Sequence, residues 1–221
     1  MDANLQPSAP RLSATRRWSL IAVIVAAVAL YLLAAMSMRD QADALAGPAI
    51  GRRLPYFQLE PLTGKSTAVT LNDLRDHVTL VNYWGTWCPP CRMEFPHIVD
   101  LAARFADRPE FRIYAVSCGQ GGDEDLESLR GTTEEFLEIA KVDLPTYADQ
   151  NQASRQALSL VLEDHQFGYP TTILLDRSGA IRGLWRGYQR GTEIEMLRAI
   201  ESLLGAPAES PTEQKTASDG N

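Results

Sequence analysis

The chain has 221 residues, with 21 basic and 28 acidic side chains and a formal net charge of −7. This acidic balance argues against nucleic-acid binding, for which a basic patch is the usual signature. Hydrophobic residues make up 45% and charged residues 22% of the chain, close to the composition of globular proteins. Three cysteines are too few for a fold built on disulfide bonds, so a hydrophobic core must stabilise the domain.

The first predicted element is a membrane anchor at Trp18–Met38, a run without any charged side chain. As a helix it would extend about 31 Å, which matches a bilayer core of about 30 Å. Three arginines precede the run, and basic flanks stay on the cytoplasmic side of a membrane. Residues 1–17 are therefore expected in the cytoplasm and the rest of the chain outside it.

Two other interpretations of this run remain open. The small residues Ala44 and Ala46 fit the site at which a signal peptide is cleaved, which would release the protein as a secreted one. A buried helix of a soluble domain is the third interpretation. The anchor and the signal peptide agree that the domain works outside the cytoplasm.

Composition divides the remainder into three parts. Residues 39–47 are predicted to be a short linker, and residues 48–205 are long enough for one domain with its own core. Residues 206–221 contain mostly Pro, Ser, Thr and charged side chains, which is typical of a disordered tail.

The domain is predicted to begin with a hairpin followed by a parallel unit. Strands at Leu54–Leu59 and Val69–Leu71 flank a turn at residues 63–65. A buried strand at Val78–Trp84, a helix at Pro90–Phe105 and a strand at Phe111–Ser117 then form a right-handed βαβ unit.

The second half of the domain alternates helices with a second hairpin. Helical patterns cover Thr133–Lys141 and Gln152–Leu162, and strands at Thr171–Asp176 and Ala180–Trp185 form an antiparallel pair. An amphipathic helix at Glu193–Leu204 is stopped by a glycine. The expected fold class is α/β, with a mixed central sheet and helices on both faces.

The chemistry is concentrated in the motif Cys88-Pro89-Pro90-Cys91, at the start of a helix. Unpaired N–H groups and the helix dipole stabilise a thiolate at the cap position, which lowers the thiol pKa. The two prolines suit the first helical positions, where an N–H would have no partner. The N–H of Cys91 is then the natural donor to the Cys88 sulfur. We therefore expect Cys88 to be the nucleophile and Cys91 the resolving thiol of a redox pair.

Other uses of the two cysteines fit the sequence less well. Zinc needs four ligands and Cys118 is the one further thiol, so no metal site is expected. A c-type haem attachment needs a histidine where Arg92 stands. A purely structural disulfide closing so small a loop would stabilise the fold little.

The segment Asn82–Pro96, NYWGTWCPPCRMEFP, resembles the active-site segment of the TlpA/ResA-like family, and residues 168–172, GYPTT, match the family's second signature. These are membrane-anchored, extracytoplasmic thiol–disulfide oxidoreductases. The resemblance covers about residues 48–205. It implies a thioredoxin fold with an N-terminal hairpin and an inserted segment.

The same resemblance implies roles for residues outside the motif. Pro170 would be a cis-proline facing the cysteine pair, which brings the Tyr169 backbone beside a bound substrate strand. Asn82 stands where ordinary thioredoxins carry a buried aspartate, and an amide cannot accept the proton. Glu94 matches the acid of the TlpA/ResA-like group and would exchange the Cys91 proton. An exposed helix glutamate is the alternative for Glu94.

The resemblance also predicts partners. Substrates would be exported proteins that contain disulfides, apocytochrome c above all, and electrons would come from a transmembrane donor. No cofactor is expected besides the Cys88–Cys91 disulfide. Substrate contacts are expected at the side chains that flank the pair and at the cis-proline loop, namely Trp87, Pro89, Pro90, Tyr169 and Thr171.

Three alternatives to a reductase stay open at this point. The same residues could serve a disulfide oxidase or isomerase, or the domain could be a non-catalytic chaperone for metal or haem-protein assembly. A peroxidase is disfavoured, because such sites place proline and threonine or serine upstream of a single cysteine. Cys118 is expected to be a small buried thiol, and the three histidines are expected to have surface or packing roles.

Overall fold

The computed structural model describes residues 23–31, 44–121 and 125–205. Residues 23–31 are helical (α1). Within the described parts of the chain, no helix is both long and apolar enough to cross a membrane. The predicted span Trp18–Met38 lies mostly outside the described residues, as does the tail at 206–221.

A seven-stranded mixed sheet lies at the centre of the domain, in the order β2-β1-β5-β4-β3-β6-β7. Its strands are β1 (Gln58–Thr63), β2 (Val69–Thr70), β3 (Val78–Trp84), β4 (Phe111–Ser117), β5 (Thr146–Ala148), β6 (Thr171–Leu175) and β7 (Ile181–Arg186). Strands β3, β4 and β5 are parallel, whereas β1, β2, β6 and β7 pair in antiparallel fashion. The N-terminal hairpin is thus the pair β1 and β2.

Four helices of this domain follow α1 along the chain. They are α2 (Pro89–Arg104), α3 (Leu126–Ala140), α4 (Ala153–Ser159) and α5 (Thr192–Gly205). Short 3₁₀ turns lie at Leu71–Leu74 and Gln150–Gln152. Between the βαβ unit that ends with β4 and the hairpin that begins with β6 lie α3, β5 and α4.

Strand β3 lies inside the sheet, with its side chains buried on both faces. All seven residues are buried, and the strand pairs with β4 on one side and β6 on the other. Side chains alternate between the two faces of a strand. Val81 and Tyr83 join the core that contains Leu158 of α4, whereas Val78 and Leu80 join the core formed with α2 and α5. Asn82 consequently faces α2.

Helix α2 presents one buried stripe to that second face. Its buried residues recur at the three- and four-residue spacing of a helix face and are Cys91, Glu94, Phe95, Ile98 and Leu101. Burial of the apolar members stabilises the helix by roughly 1.5–3 kcal/mol for each large side chain. Glu94 is the charged member of this otherwise apolar stripe.

Several boundaries differ from the sequence-based expectation. Strands β3 and β4 coincide with it, but α3 begins at Leu126 rather than at Thr133. The Asp125 carboxylate caps α3 by accepting from the N–H groups of Glu127 and Ser128, which starts the helix earlier. The α4 region breaks into a 3₁₀ turn and a short helix, because Asn151 and Gln152 have left-handed backbone angles. Strand β5 was not predicted.

The folded domain already includes a residue assigned to the linker. Ala44 is buried in the core that contains Val78 and Leu80. Ala49 is also buried, in the core on the other face of the sheet. The packed part of the chain thus begins before residue 48.

Candidate active site

The two cysteines of the motif lie at the N-terminus of α2 and form a disulfide bond. Cys88 is the N-cap, with extended backbone angles, and its Sγ accepts from the Cys91 N–H at 3.3 Å. Pro89 and Pro90 occupy the first two helical positions, where their missing N–H groups cost nothing. This is the arrangement that favours a thiolate on Cys88 once the pair is reduced.

A tryptophan fixes the loop that precedes the cysteines. Trp87 Nε1 donates to the Cys118 carbonyl oxygen, just beyond the end of β4, at 2.9 Å. A Cβ on Gly85 would lie 2.5 Å from Trp87 Nε1 and 2.8 Å from that carbonyl oxygen. The indole can therefore reach its acceptor only because residue 85 has no side chain. Trp87 as a residue remains 38% exposed.

The loop before β6 lies against the same site. The Tyr169–Pro170 peptide bond is cis. Tyr169 packs against the cluster that contains both cysteines, and its ring meets the Trp87 ring edge-on with centroids 5.3 Å apart. Thr171 is fully buried and its hydroxyl donates to the Gly168 carbonyl at 2.7 Å. Its side chain thus shapes the loop, and a substrate contact at this residue stays a prediction.

Glu94 is buried against β3 and β6, and only 2% of its surface is exposed. The Asn82 Nδ2 group donates to Glu94 Oε2 at 2.7 Å and to the Thr172 hydroxyl at 2.8 Å. That hydroxyl lies 3.5 Å from Glu94 Oε1. An exposed helix glutamate, the alternative left open by the sequence, does not describe this residue.

Burial raises the pKa of the Glu94 carboxyl from an ordinary 4.5 to about 7, although hydrogen bonds from Asn82 and Thr172 lower it. At neutral pH the group is thus divided between its acid and its carboxylate form. Glu94 follows Cys91 by three residues, so both lie on one face of α2. This combination suits a group that exchanges a proton with a buried thiol.

Sequence reasoning missed part of this network. The sequence predicts for Asn82 only that it cannot accept a proton, whereas its amide holds the carboxylate in place. It predicts no role for Thr172 of the second signature, whose hydroxyl accepts from the same amide. The available signal was the alternation along β3, which directs residue 82 toward α2.

A second polar network lies behind Tyr169 and was not predicted at all. The guanidinium of Arg155, at the start of α4, donates from Nη1 to the Tyr169 hydroxyl at 2.6 Å. The same side chain pairs through Nε with Asp149 at 2.9 Å. Both charged residues are buried, which the sequence pattern around them does not indicate.

The third cysteine and the three histidines make contacts of other kinds. Cys118 is a buried thiol whose Sγ is 3.6 Å from the Val116 carbonyl oxygen. His97 stacks on Tyr188 at the surface of α2, and the other two histidine rings each contact a backbone carbonyl.

Sequence comparison places the domain in a known family. A profile of the AhpC/TSA family matches residues 50–184, more than half of the chain. The chain belongs to the AhpC/TSA family.

Individual relatives within this family indicate which kind of enzyme the chain is. The thioredoxin-like protein YneN from Bacillus subtilis is 27% identical over 145 residues, which cover 66% of this chain and 76% of that protein. Thiol-disulfide oxidoreductase ResA from Geobacillus kaustophilus is 29% identical over 156 residues, covering 70% and 78%. These relationships confirm the predicted resemblance to TlpA/ResA-like proteins and the predicted enzyme class, a thiol–disulfide oxidoreductase.

Solved structures confirm the thioredoxin-like fold. A Chlorobium tepidum protein, assigned as the thiol:disulfide interchange protein DsbE, superposes with a TM-score of 0.56 at 24% identity. The match covers 71% of this chain and 98% of that one. At this identity the likeness speaks for the fold alone.

Proposed function

We propose that the protein reduces disulfide bonds in exported proteins through Cys88 and Cys91. The observation that carries this proposal is the pairing of two features on one helix. The Cys88 sulfur caps α2, and the buried Glu94 lies one turn beyond Cys91. The first feature favours an attacking thiolate and the second supplies a proton acceptor for the resolving thiol.

The proposed reaction is a two-electron exchange. The Cys88 thiolate attacks one sulfur of the substrate disulfide, and the other substrate sulfur leaves as a thiolate. Glu94 takes the proton from Cys91, whose sulfur then attacks Cys88 and releases the second substrate thiol. The substrate disulfide is reduced to two thiols while the Cys88–Cys91 pair is oxidised, so no further cofactor is needed.

The location and partners follow as part of the same proposal. An anchor at Trp18–Met38 would hold the domain on the extracytoplasmic face of the inner membrane, and cleavage near Ala46 would release it instead. Disulfides of apocytochrome c are the substrate that the resemblance to TlpA/ResA-like proteins favours. Repeated turnover then requires a transmembrane donor that returns two electrons to the cysteine pair.

Pro170, Trp87 and Tyr169 complete the proposed substrate site. The exposed residue Trp87 and the ring of Tyr169 border Cys88, and Pro89, between the two cysteines, is exposed. An extended substrate segment would pair with the backbone of the loop before β6, beside the reactive sulfur.

A redox titration of the full chain tests the direction of the reaction. The purified protein would be equilibrated with dithiothreitol or glutathione buffers, and the fraction of oxidised Cys88–Cys91 measured by thiol alkylation. A potential near −250 mV or below supports a reductase, and one near −120 mV would instead establish an oxidase.

Turnover separates an enzyme from a chaperone. With dithiothreitol as the electron source, the full chain should reduce a protein disulfide catalytically. The Cys88→Ser variant should not, and binding of a substrate without turnover by the parent would contradict the proposal.

A further inference from the structure

The hydroxyl of Tyr169 accepts a hydrogen bond from the buried guanidinium of Arg155. Arg155 Nη1 donates to this oxygen at 2.6 Å, and only 4% of the Arg155 residue is exposed. This hydrogen bond joins the first turn of α4 to the loop that precedes Pro170. It therefore connects the active-site rim to a helix on the opposite face of the sheet from α2.

Asp149 fixes the guanidinium in this position. It is 1% exposed and accepts from Arg155 Nε at 2.9 Å. Its carboxylate also accepts from the backbone N–H groups of Ser154 and Arg155 at 2.8 and 2.9 Å. The carboxylate thus anchors both the start of α4 and the side chain that reaches Tyr169.

The contribution of the buried Arg155–Asp149 ion pair to folding stability does not by itself explain its presence. Removing two charges from water is costly, and apolar replacements of buried ion pairs are often as stable or more so. Buried pairs of this kind are therefore more readily explained by the geometry that they impose. Here the imposed geometry includes the start of α4 and the position of the Tyr169 phenol.

The ring that is held in this way borders the reactive sulfur. Tyr169 packs against the cluster that contains Cys88, and its ring meets the exposed ring of Trp87 edge-on at 5.3 Å. Tyr169 also meets the Phe167 ring, with centroids 5.3 Å apart, and Phe167 in turn meets Tyr83. The Tyr83 hydroxyl donates to Ser154 Oγ at 3.0 Å, which leads back to α4.

We infer that Arg155 is a positioning residue for substrate selection, and that it holds Tyr169 against Trp87 as an aromatic surface for an apolar residue next to the substrate cysteine. The inference rests on the proposed function and names the substrate class for that site. Aromatic surfaces of this kind bind apolar and aromatic side chains in preference to polar ones. A substrate segment with phenylalanine or leucine beside its cysteine is thus preferred over one with serine.

Matched peptides measure this preference directly. Short peptides would carry one cysteine joined to glutathione by a disulfide, with phenylalanine or serine as the residue before or after that cysteine. Reduction by the full chain releases glutathione and the peptide thiol while the Cys88–Cys91 pair is oxidised, and dithiothreitol returns two electrons to the pair for the next turnover. The parent should show a kcat/KM roughly threefold to tenfold higher for the better phenylalanine peptide than for its serine counterpart.

Two variants remove the hydrogen bond between Arg155 and Tyr169 but keep an aromatic ring at residue 169. Tyr169→Phe deletes the hydroxyl and leaves the Arg155–Asp149 pair intact, and Arg155→Lys keeps the charge but loses the forked donor. Each should bring the phenylalanine preference close to 1 through a higher KM for the phenylalanine peptide, and Arg155→Lys should leave kcat unchanged. If both act through one hydrogen bond, the double variant should resemble either single variant.

Controls separate positioning from damage to the fold or to the chemistry. Arg104→Gln removes an arginine from an exposed ion pair with Glu201 and should behave as the parent does. Oxidised glutathione, which has no apolar side chain beside its cysteine, should be reduced at the same rate by the parent, Arg155→Lys and Arg104→Gln. A retained phenylalanine preference in both single variants would overturn the inference, as would its absence in a parent that reduces oxidised glutathione. A parent that reduces neither glutathione disulfides nor peptides would overturn the proposed function itself.

Discussion

The two cysteines are both buried but differ in their place on the helix. The Cys88 sulfur accepts a backbone N–H at the helix N-terminus, whereas Cys91 belongs to the buried stripe of α2. In the reduced protein at neutral pH, a limiting amount of alkylating agent should therefore label Cys88 well before Cys91 or Cys118. Mass spectrometry of the labelled peptides measures the order. Equal labelling of all three thiols would contradict the helix-terminus argument.

Trapping of mixed disulfides independently tests the assignment of Cys88 as the nucleophile and Cys91 as the resolving thiol. Cys91→Ser should accumulate mixed disulfides with substrates, and Cys88→Ser should not. Cys118→Ala is the matched third variant and should leave turnover intact, because its thiol is not among the groups that react.

Glu94 makes folding stability depend on pH. Its carboxyl titrates near 4.5 in ordinary surroundings and at about 7 in the folded protein, because burial disfavours the charge. The protonated form thus contributes stability that is complete below about pH 4.5 and is lost as the pH rises through 7. Glu94→Gln cannot ionise, so the oxidised variant should be more stable than the parent by up to about 3 kcal/mol at pH 8.

Urea unfolding between pH 4 and pH 8 measures this difference. The two proteins should converge near pH 4, where Glu94 is neutral in both the folded and the unfolded chain. A constant difference between them across the whole range would show that the carboxyl does not titrate in this interval.

The same residue should control the rate of resolution. Glu94→Gln removes the proton acceptor and should slow single-turnover reduction by up to roughly 10²- to 10⁴-fold. It should also lower the pKa of the nearby thiols, because a neighbouring negative charge disfavours a thiolate. Thiolate absorbance and rapid-mixing kinetics against pH measure both effects. Asn82→Asp in the Glu94→Gln background restores an acid nearby and should recover part of the rate.

At the scale of elements, the N-terminus of α3 depends on one carboxylate. Asp125 Oδ1 and Oδ2 accept from the N–H groups of Glu127 and Ser128. Asp125→Ala should destabilise the protein by about 1 kcal/mol, whereas Asp125→Asn retains a capping oxygen and should cost much less. Urea unfolding midpoints compare the three proteins. A loss as large for asparagine as for alanine would rule out capping as the cause.

Elements were predictable where burial alone determines them. Strands β3 and β4 are runs of apolar and β-branched residues, so the sequence pattern located both ends of each strand. The two-residue β2 and three-residue β5 are too short for any periodicity, and β5 owes its place to pairing with β1 and β4. Tertiary contacts, rather than local preference, produce strands of this length.

Only part of the candidate site could be predicted from the sequence. Cys88, Cys91 and Glu94 lie in one helix, so their spacing in sequence gives their arrangement in space. Arg155 and Asp149 reach the site only through the folded loop before β6, and charged residues are expected at the surface. Asp149 precedes a 3₁₀ turn and Arg155 lies in a short helix. Neither element is long enough for a periodic sequence pattern that would predict the burial of this ion pair.

At the scale of the whole molecule, we expect the domain to be exported and tethered. The uncharged run at Trp18–Met38 behind three arginines predicts this orientation. Protease added to intact spheroplasts should digest the domain, and washing the membranes with salt should not release it. Recovery of the domain in the soluble fraction, with a new N-terminus after Ala46, would show cleavage instead.

The contact between Trp87 and the end of β4 has a consequence for how this protein can vary. The indole N–H donates to the main-chain oxygen of residue 118, and any amino acid supplies that oxygen. Substitutions at Cys118 that fit the space are therefore tolerated as far as this contact is concerned. Insertions or deletions beside it would move the acceptor, and any side chain at Gly85 would displace the indole. Across related sequences, this contact should thus constrain loop length and one glycine, whereas the side chain at residue 118 is limited only by the buried space around it.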